Sequence, residues 1–497
     1  MLHVLLVLLV LTVLMRDNLA REYPDAPIPA FAGAPVWMVV GCSLLLYALP
    51  AIILLLPIRE LGRGLDRSGR IGLVRLADRL CLGVRWGALA SHVIAIFFLG
   101  WLDAVRTIVG NLILLDELIA LLPPLAVIAA SWWAMYPIDR RLREATVMAA
   151  LDSGHHMPRL VTRRQFVMER IRHDMALVVV PISLMIGWWE STERIVSWLA
   201  ARNGAWTQSG WWEWGIAGVQ FGGALVILAC MPLVLVRVWR TIPLGPGEMR
   251  DRLEEMCRAH RVRVRKILVW RTHDAIINGA LVGVLPFARY ILLTETLLER
   301  LSQDEVEAVM AHEVGHAQRH HLIWLVLSIV AAVSVASIVM DWLLRGLFQA
   351  RVISPGVGSG GVWMWLASLG TLVAAVWAFG HVSRRFEQQA DAFAAQHLSG
   401  QRWGGDSEGG SIRVTPEAAG SMARALGSVA LHNRMDPNRF TFRHGSIRGR
   451  QRRLSRLIGQ PAHALPIDRR VRWIKVLALV ALVGVLVYLI LEWREMV

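Results

Sequence analysis

Apolar segments long enough to form transmembrane helices recur along the whole chain, and they constrain its fold more than any other feature. A helix needs about 20 apolar residues to cross a bilayer. The mean hydropathy is +0.47, and Pro123 and Pro124 are expected to kink or split one of the helices. We therefore expect eight or nine crossings and a mainly α-helical, polytopic membrane protein. The predicted spans are 2–15, 36–57, 81–101, 107–136, 176–189, 216–236, 322–343, 362–380 and 471–493.

Arginine is distributed unevenly among the loops between these spans. It is frequent after the second and fourth spans, and it is scarce in 190–215, which is rich in tryptophan instead. Lysine and arginine concentrate in the cytoplasmic loops of membrane proteins, so counting crossings places 237–321 and 381–470 on the cytoplasmic side. The net charge of +15 then reflects membrane topology. We expect no nucleic-acid partner, because such a protein would carry a basic patch on one soluble domain.

Two histidines, His312 and His316, stand four residues apart in a segment whose pattern predicts a helix. At this spacing both imidazoles leave one helical face and can bind a single zinc ion. Glu313 lies beside them, where its carboxylate could take a proton from a zinc-activated water. The alternative is an ordinary polar helix face, since a five-residue pattern also arises by chance. The four cysteines form no CxxC pair, which argues against a Cys-based metal site.

A catalytic zinc needs a third protein ligand, and the nearby histidines are poor candidates. In a straight helix His320 lies about 12 Å along the axis from His312. A zinc ion with bonds of about 2 Å cannot bridge that distance. We interpret His320 and His321 as interfacial residues at the start of the next span.

Glu387 is the better candidate for the third ligand. It follows His316 by 71 residues, and the transmembrane hairpin between them returns the chain to the side it left. Asp391 lies one helical turn further on and shares the face of Glu387. Its carboxylate could accept the second ring N–H of a ligand histidine. The alternative is a charged helix near the membrane, in which Arg384 and Arg385 pair with Glu387 and Asp391.

Five motifs follow one another in order over about residues 241–455. They are PLGPGEMR at 243–250, INGA at 277–280, HEVGH at 312–316, SRRFEQQAD at 383–391 and HGSIRGR at 444–450. This series resembles peptidase family M48, the zinc metallopeptidases that include the Ste24 CAAX prenyl protease and HtpX. The resemblance implies one zinc ion per chain, held by His312, His316 and Glu387, with Glu313 as the base. The series departs from the usual family pattern at Gly279, where alanine is usual, and at Gly445, where proline is usual.

Two further residues are candidates for contact with substrate. The resemblance suggests that His444 donates a hydrogen bond to the oxyanion, besides zinc; the alternative is a surface histidine in a basic segment. Val, Ile, Leu and Tyr runs within 263–270 and 289–294 predict short strands, whose exposed edge could pair with a peptide backbone. Asn278, between them, is a candidate for peptide contact or a plain turn residue.

The predicted organisation has five parts. A multi-spanning membrane region (1–236) precedes a zincin-like catalytic domain on the cytoplasmic side. The first part of that domain (237–321) holds a small β-sheet and the HEVGH helix. A transmembrane hairpin (322–380) leads to the second part (381–470), which supplies Glu387, and a transmembrane helix (471–497) follows.

We therefore expect an integral-membrane zinc endopeptidase of the cell membrane that cleaves membrane-associated or misfolded proteins. Its expected partners are peptide or membrane-protein substrates and the lipid bilayer, while the sequence does not predict an oligomeric state. Two alternatives stay open. One is CAAX-type processing of lipidated peptides, and the other is a non-catalytic membrane scaffold or transporter that has retained the motif.

Overall fold

A computed structural model describes most of the chain and divides it into two compact units, Met1–Arg240 and Thr241–Val497. The predicted fold class, a mainly helical polytopic membrane protein with a small sheet, is confirmed. The division of the chain into five parts stays a prediction. The described residues are 2–22, 33–68, 71–152, 160–202, 210–272, 277–350, 359–401, 412–433 and 435–496.

Unit 1, the first of these, consists of helices and short connections in its described part. Its core consists of aliphatic side chains such as Leu6, Leu9, Ile96, Leu102 and Ile128, none of which is more than 1% exposed. The helices are α1 (Leu2–Glu22), α2 (Val36–Ser68), α3 (Ile71–Ile94), α4 (Trp101–Val109), α5 (Leu115–Asp152), α6 (Arg163–Arg170), α7 (Ala176–Arg202) and α8 (Gly210–Val238).

Seven helices within the described residues are long and apolar enough to cross a membrane. The predicted span 2–15 lies in α1, which is not one of the seven. The predicted span 362–380 lies in a helix where several side chains between 359 and 368 are outside the described residues. The predicted span 107–136 was wrong at its start, because Gly110 ends α4 and α5 begins at Leu115 and continues through both prolines.

A cluster of ion pairs joins three helices of unit 1. Arg106 of α4 bonds to Asp17 of α1 and to Asp116 and Glu117 of α5, at 2.6–2.9 Å. Asp116 and Glu117 are 0% and 2% exposed. A buried carboxylate is costly unless it is paired, so these contacts explain how the two acids are accommodated at the start of α5.

Unit 2, the second part of the chain, combines a four-stranded sheet with helices. In the sheet the strand order is β1-β2-β4-β3; β2 and β4 are parallel, and β3 is antiparallel to β4. Ile291, Leu292 and Leu293 of β4 are at most 1% exposed and form part of the core. The strands are β1 (Ile242–Pro243), β2 (Lys266–Trp270), β3 (Gly279–Val282) and β4 (Tyr290–Thr294). The helices are α9 (Glu248–Ala259), α10 (Glu295–Arg300), α11 (Gln303–Gln318), α12 (His321–Gln349), α13 (Ser359–Leu398), α14 (Pro416–His432), α15 (Ile447–Ser455) and α16 (Pro466–Met496).

The two strands predicted from sequence are present as β2 and β4, but the prediction that they offer an exposed edge is wrong. They pair with each other through all five residues of each strand. The outer strand beside β4 is β3, which the sequence did not predict. A four-residue strand that begins with glycine carries a weak β signal, because glycine has no side chain to pack on the sheet.

Candidate active site

Helix α11 carries the HEVGH motif and is well defined at its start. The Ser302 side chain accepts the backbone N–H of Glu305, and the Glu305 carboxylate accepts the backbone N–H of Ser302, which makes a capping box. The face opposite the site buries Met310 and Val314 in the core of unit 2. Gly315 allows close approach of α13, since a Cβ there would lie 2.9 Å from the ring of Phe393.

The side chains of His312, His316 and Glu387 converge on one point. The two Nε2 atoms are 3.2 Å apart. Glu387 Oε2 is 3.6 Å from Nε2 of His312, and Glu387 Oε1 is 3.6 Å from Nε2 of His316. One ligand atom from each residue lies within 4.8 Å of the others, so the three together could hold a metal ion.

The other ring nitrogens of both histidines lie close to polar atoms of neighbouring side chains. Nδ1 of His312 is 3.0 Å from Oδ1 of Asp391, the carboxylate that the sequence analysis proposed as the partner of a ligand histidine. Nδ1 of His316 is 2.9 Å from Nδ1 of His321, whose Nε2 is 2.8 Å from the side-chain oxygen of Gln389. If both Nδ1 atoms carry the proton, both Nε2 lone pairs point at the same place, as a metal requires.

His321 begins the next candidate span, as the sequence analysis expected, but its side chain is also part of the site, which the sequence analysis missed. It is 3% exposed and stacks on Phe386, with ring centroids 4.5 Å apart. The cause is a break at His320, whose φ of 54° ends α11 and starts α12. No glycine or proline marks this break, so the sequence carries no local signal that predicts it.

Buried charges surround the three converging side chains. Arg450 donates to both oxygens of Asp391, at 2.9 and 2.6 Å, and its Nη1 lies 3.5 Å from Glu387. Burial acts to raise the pKa of Asp391, but Arg450 and His312 outweigh it and hold that pKa at about 2. Burial also acts to raise the pKa of Glu387, but His312, His444 and Arg450 outweigh it and keep that pKa well below its usual value. Both carboxylates are therefore ionised.

The two motif histidines differ in their affinity for a proton. Burial disfavours the charged form of His312, but Asp391 and Glu387 outweigh it and raise its pKa to about 9. Burial and the neighbouring His312 lower the pKa of His316 to about 3. His312 therefore takes up a proton far more readily than His316 does, and the facing Nε2 atoms, 3.2 Å apart, mark a position where a cation would satisfy both rings.

Glu313 points towards strand β3. Its Oε2 accepts the backbone N–H of Leu281 at 3.2 Å, and burial raises its pKa. Gly279 explains one departure from the family pattern, because a Cβ there would lie 2.9 Å from Val309 of α11. Asn278 is exposed beside the start of β3, and its backbone pairs with Thr294.

His444 lies at the mouth of the site. Its Nδ1 is 2.9 Å from Oε2 of Glu387, and its side chain is 44% exposed. The next residue, Gly445, closes a turn with Thr441 and has a φ of +76°. Proline cannot adopt that angle, which explains the second departure from the family pattern.

Comparison with known proteins agrees with this geometry. Residues 244–406, which contain β2–β4, the HEVGH motif and Glu387, match the sequence profile of peptidase family M48. This segment belongs to peptidase family M48. The M48 segment lies entirely within unit 2.

Two curated relatives show the extent of the similarity. A protease HtpX homolog of Aeropyrum pernix is 30% identical over 195 residues, which is 36% of this chain and 58% of that protein. A probable CAAX prenyl protease 1 of Schizosaccharomyces pombe is 28% identical over 193 residues, which is 37% of this chain and 40% of that protein. The chain thus matches less than two thirds of the length of either relative.

A solved structure is also similar. The crystal structure of Ste24p from S. mikatae matches 81% of this chain and 98% of its own, at 17% identity and a TM-score of 0.34. At that score no detail of architecture is transferred from it.

Proposed function

We propose that the protein is an integral-membrane zinc endopeptidase that hydrolyses peptide bonds in membrane-associated or misfolded proteins. The observation that carries the proposal is the convergence of His312, His316 and Glu387 at separations of 3.2 and 3.6 Å. A tetrahedral zinc site with bonds of about 2.0–2.2 Å separates its ligands by roughly 3.3–3.6 Å. The three side chains therefore fit one zinc ion per chain without rearrangement.

Zinc in such a site supplies Lewis acidity and makes a coordinated water acidic near neutral pH. Glu313 is the proposed general base. The Leu281 N–H holds one of its oxygens, and the carboxylate accepts a proton from the attacking water and passes it to the leaving amine. Burial raises the pKa of Glu313, which makes it a stronger base than an exposed glutamate.

Two other groups act on the peptide in this proposal. His444 contacts the Glu387 carboxylate through Nδ1, so it donates from Nε2 to the oxyanion of the tetrahedral intermediate as the imidazolium, in which both ring nitrogens carry a proton. Asn278 contacts the peptide at the start of β3. Asp391, together with Arg450, orients His312 and keeps its Nδ1 protonated.

The substrate is proposed to bind as an extended strand along β3. Among the described residues no strand pairs with the outer side of β3. A peptide added there would use main-chain hydrogen bonds, which give affinity with little sequence preference. This geometry supports a broad substrate class, and a peptide bound there would lie beside the carboxylate of Glu313.

The catalytic unit is proposed to face the cytoplasm, as the arginine distribution predicts, in a multi-pass membrane protein. CAAX-type processing of lipidated peptides is a second candidate, because several of the related proteins are CAAX prenyl proteases. A non-catalytic scaffold or transporter is less well supported, since the proposed ligands and base converge in one site.

The test compares purified wild-type protein with Glu313→Gln on an unfolded protein such as casein. We expect zinc to stay bound and hydrolysis to fall by a factor of about 10² to 10⁴, the usual contribution of a general base. Glu417→Gln is the matched control, because Glu417 is exposed in the first turn of α14, and it should cleave normally. Unchanged hydrolysis in Glu313→Gln would exclude Glu313 as the base.

A further inference from the structure

A basic pocket of about 240 Å³ opens in unit 2 beside the converging ligands. Its walls include His381, Arg384, Arg385, Phe440, His444 and Arg453. Three of these side chains are guanidinium groups, and no aspartate or glutamate is among the described lining residues. The pocket therefore concentrates positive charge.

None of these three arginines forms an ion pair within the part of the chain that the structure describes. Arg384 donates to the backbone oxygen of Phe442 at 2.8 Å, and Arg385 to the side-chain oxygen of Gln388 at 3.1 Å. Nε of Arg453 is buried and has no hydrogen-bond partner among the described atoms. Burial lowers the pKa of Arg453; Asp391 acts to raise it, but Arg450, Arg385 and Arg456 act in the same direction as burial. A bound anion would relieve this repulsion.

The pocket begins where the apolar part of α13 ends. His381 directly follows the predicted span 362–380, and upstream of it the side chains of Leu372, Val373, Val376 and Trp377 are 49–67% exposed. Apolar side chains exposed along a transmembrane helix face lipid. The pocket thus lies at the level of the lipid headgroups if α13 spans the membrane as predicted.

Aromatic side chains flank the pocket at the same level. Phe440 and Phe442 are 64% and 44% exposed. The guanidinium of Arg384 lies 5.5 and 5.9 Å from the centroids of their rings. Aromatic and basic side chains together are typical of a membrane interface.

We propose that this pocket binds the phosphate group of an anionic membrane lipid. Guanidinium groups bind phosphate through paired hydrogen bonds, and basic pockets at the cytoplasmic ends of transmembrane helices bind anionic headgroups. His444 lines the pocket and also contacts Glu387 at 2.9 Å. A bound headgroup would therefore touch the same imidazole that touches a proposed metal ligand. Lipid binding can be measured without peptide hydrolysis, so it can fail independently of the proposed function.

The test titrates the full-length protein in detergent with phosphatidylglycerol or with phosphatidylcholine of the same acyl chains, followed by native mass spectrometry. We expect the first phosphatidylglycerol to bind at least about tenfold more tightly than phosphatidylcholine. The double variant Arg384→Gln/Arg453→Gln should lose roughly 25-fold of that affinity, about fivefold per arginine. Equal affinities for the two lipids, or unchanged binding by the double variant, would overturn the proposal.

The control variant Arg258→Gln/Arg413→Gln removes the same charge from exposed positions outside the pocket and should bind like the wild type. If the double variant Arg384→Gln/Arg453→Gln does not fold, Arg453→Gln alone replaces it. We expect this single variant to bind phosphatidylglycerol about fivefold more weakly. An unchanged affinity would count against the proposal.

Two further measurements distinguish the possible sources of the anion. In the first, inorganic phosphate at millimolar concentration competes with the lipid; complete displacement would indicate a site for soluble anions and would overturn the lipid assignment.

The second compares the rates at which the enzyme hydrolyses peptides with free and with amidated C-termini. If a pocket variant keeps its lipid binding but no longer prefers the free C-terminus, the pocket binds a substrate carboxylate, which also overturns the proposal.

Discussion

Replacing Arg450 with methionine tests how the charges behind the site are held in place. Arg450 is 6% exposed and lies against two carboxylates, Asp391 and Glu387, which are 4% and 6% exposed. Methionine fills a similar volume but removes the guanidinium from both carboxylates, which keep only their histidine contacts. Breaking a buried ion pair in this way costs about 3–5 kcal/mol, because a buried carboxylate loses its paired charge.

The expected effect is a large loss of thermal stability in the apoprotein. For a folded unit of 150–250 residues, 1 kcal/mol shifts Tm by about 2–4 °C, so Arg450→Met should lower Tm by roughly 10 °C. The assay is thermal unfolding of the detergent-solubilised, chelator-treated protein. Arg453→Met is the matched control on the same helix: Arg453 forms no ion pair within the described residues, so its Tm should change little. If Arg450→Met unfolds at the temperature of the control, the buried-pair reasoning is refuted.

Three smaller changes test other parts of unit 2. His321→Ala should weaken zinc binding by about 10- to 100-fold, because it removes the partner of His316 Nδ1, and competition with a chelator measures this. Gly315→Ala should destabilise the protein by about 1–3 kcal/mol through collision with Phe393, whereas Gly346→Ala, with open space around it, should be neutral or stabilising in a melting experiment. Hydrogen bonding to His397 lowers the pKa of Glu307, so the pair stabilises the fold above the unfolded glutamate pKa. The Tm difference between wild type and Glu307→Gln should therefore disappear as pH falls through the lowered pKa, and a constant difference would contradict this.

The helices were predictable from sequence because their signals are local. The apolar runs are longer than those of soluble domains, which identifies them as candidate transmembrane helices. The four-residue spacing of His312 and His316 places both on one helical face, independently of the rest of the chain. Glu387 was predictable for a different reason. A hairpin must return the chain to the same side of the membrane, and the structure brings this carboxylate to 3.6 Å from both histidines.

What the sequence did not reveal depends on contacts between distant segments. His321 reaches His316 because the chain turns at His320 with a positive φ, and the sequence analysis interpreted His321 only as an interfacial residue. The outer position of β3 follows from strand order, which a four-residue run cannot specify. Nothing in the local pattern distinguishes the buried Arg450 from Arg448 or Arg452 beside it, since burial there is decided by Asp391, 59 residues away; only the family resemblance of the 444–450 segment pointed to Arg450 as its anchor.

X-ray absorption spectroscopy of the zinc-loaded protein tests the central claim most directly. The account predicts one zinc per chain with two imidazole nitrogens and a carboxylate oxygen at about 2.0–2.2 Å, and no sulfur. Glu387→Ala should lose the zinc, while Glu313→Gln should keep the spectrum and lose hydrolysis. A sulfur shell near 2.3 Å, or full zinc occupancy in Glu387→Ala, would contradict the proposed site.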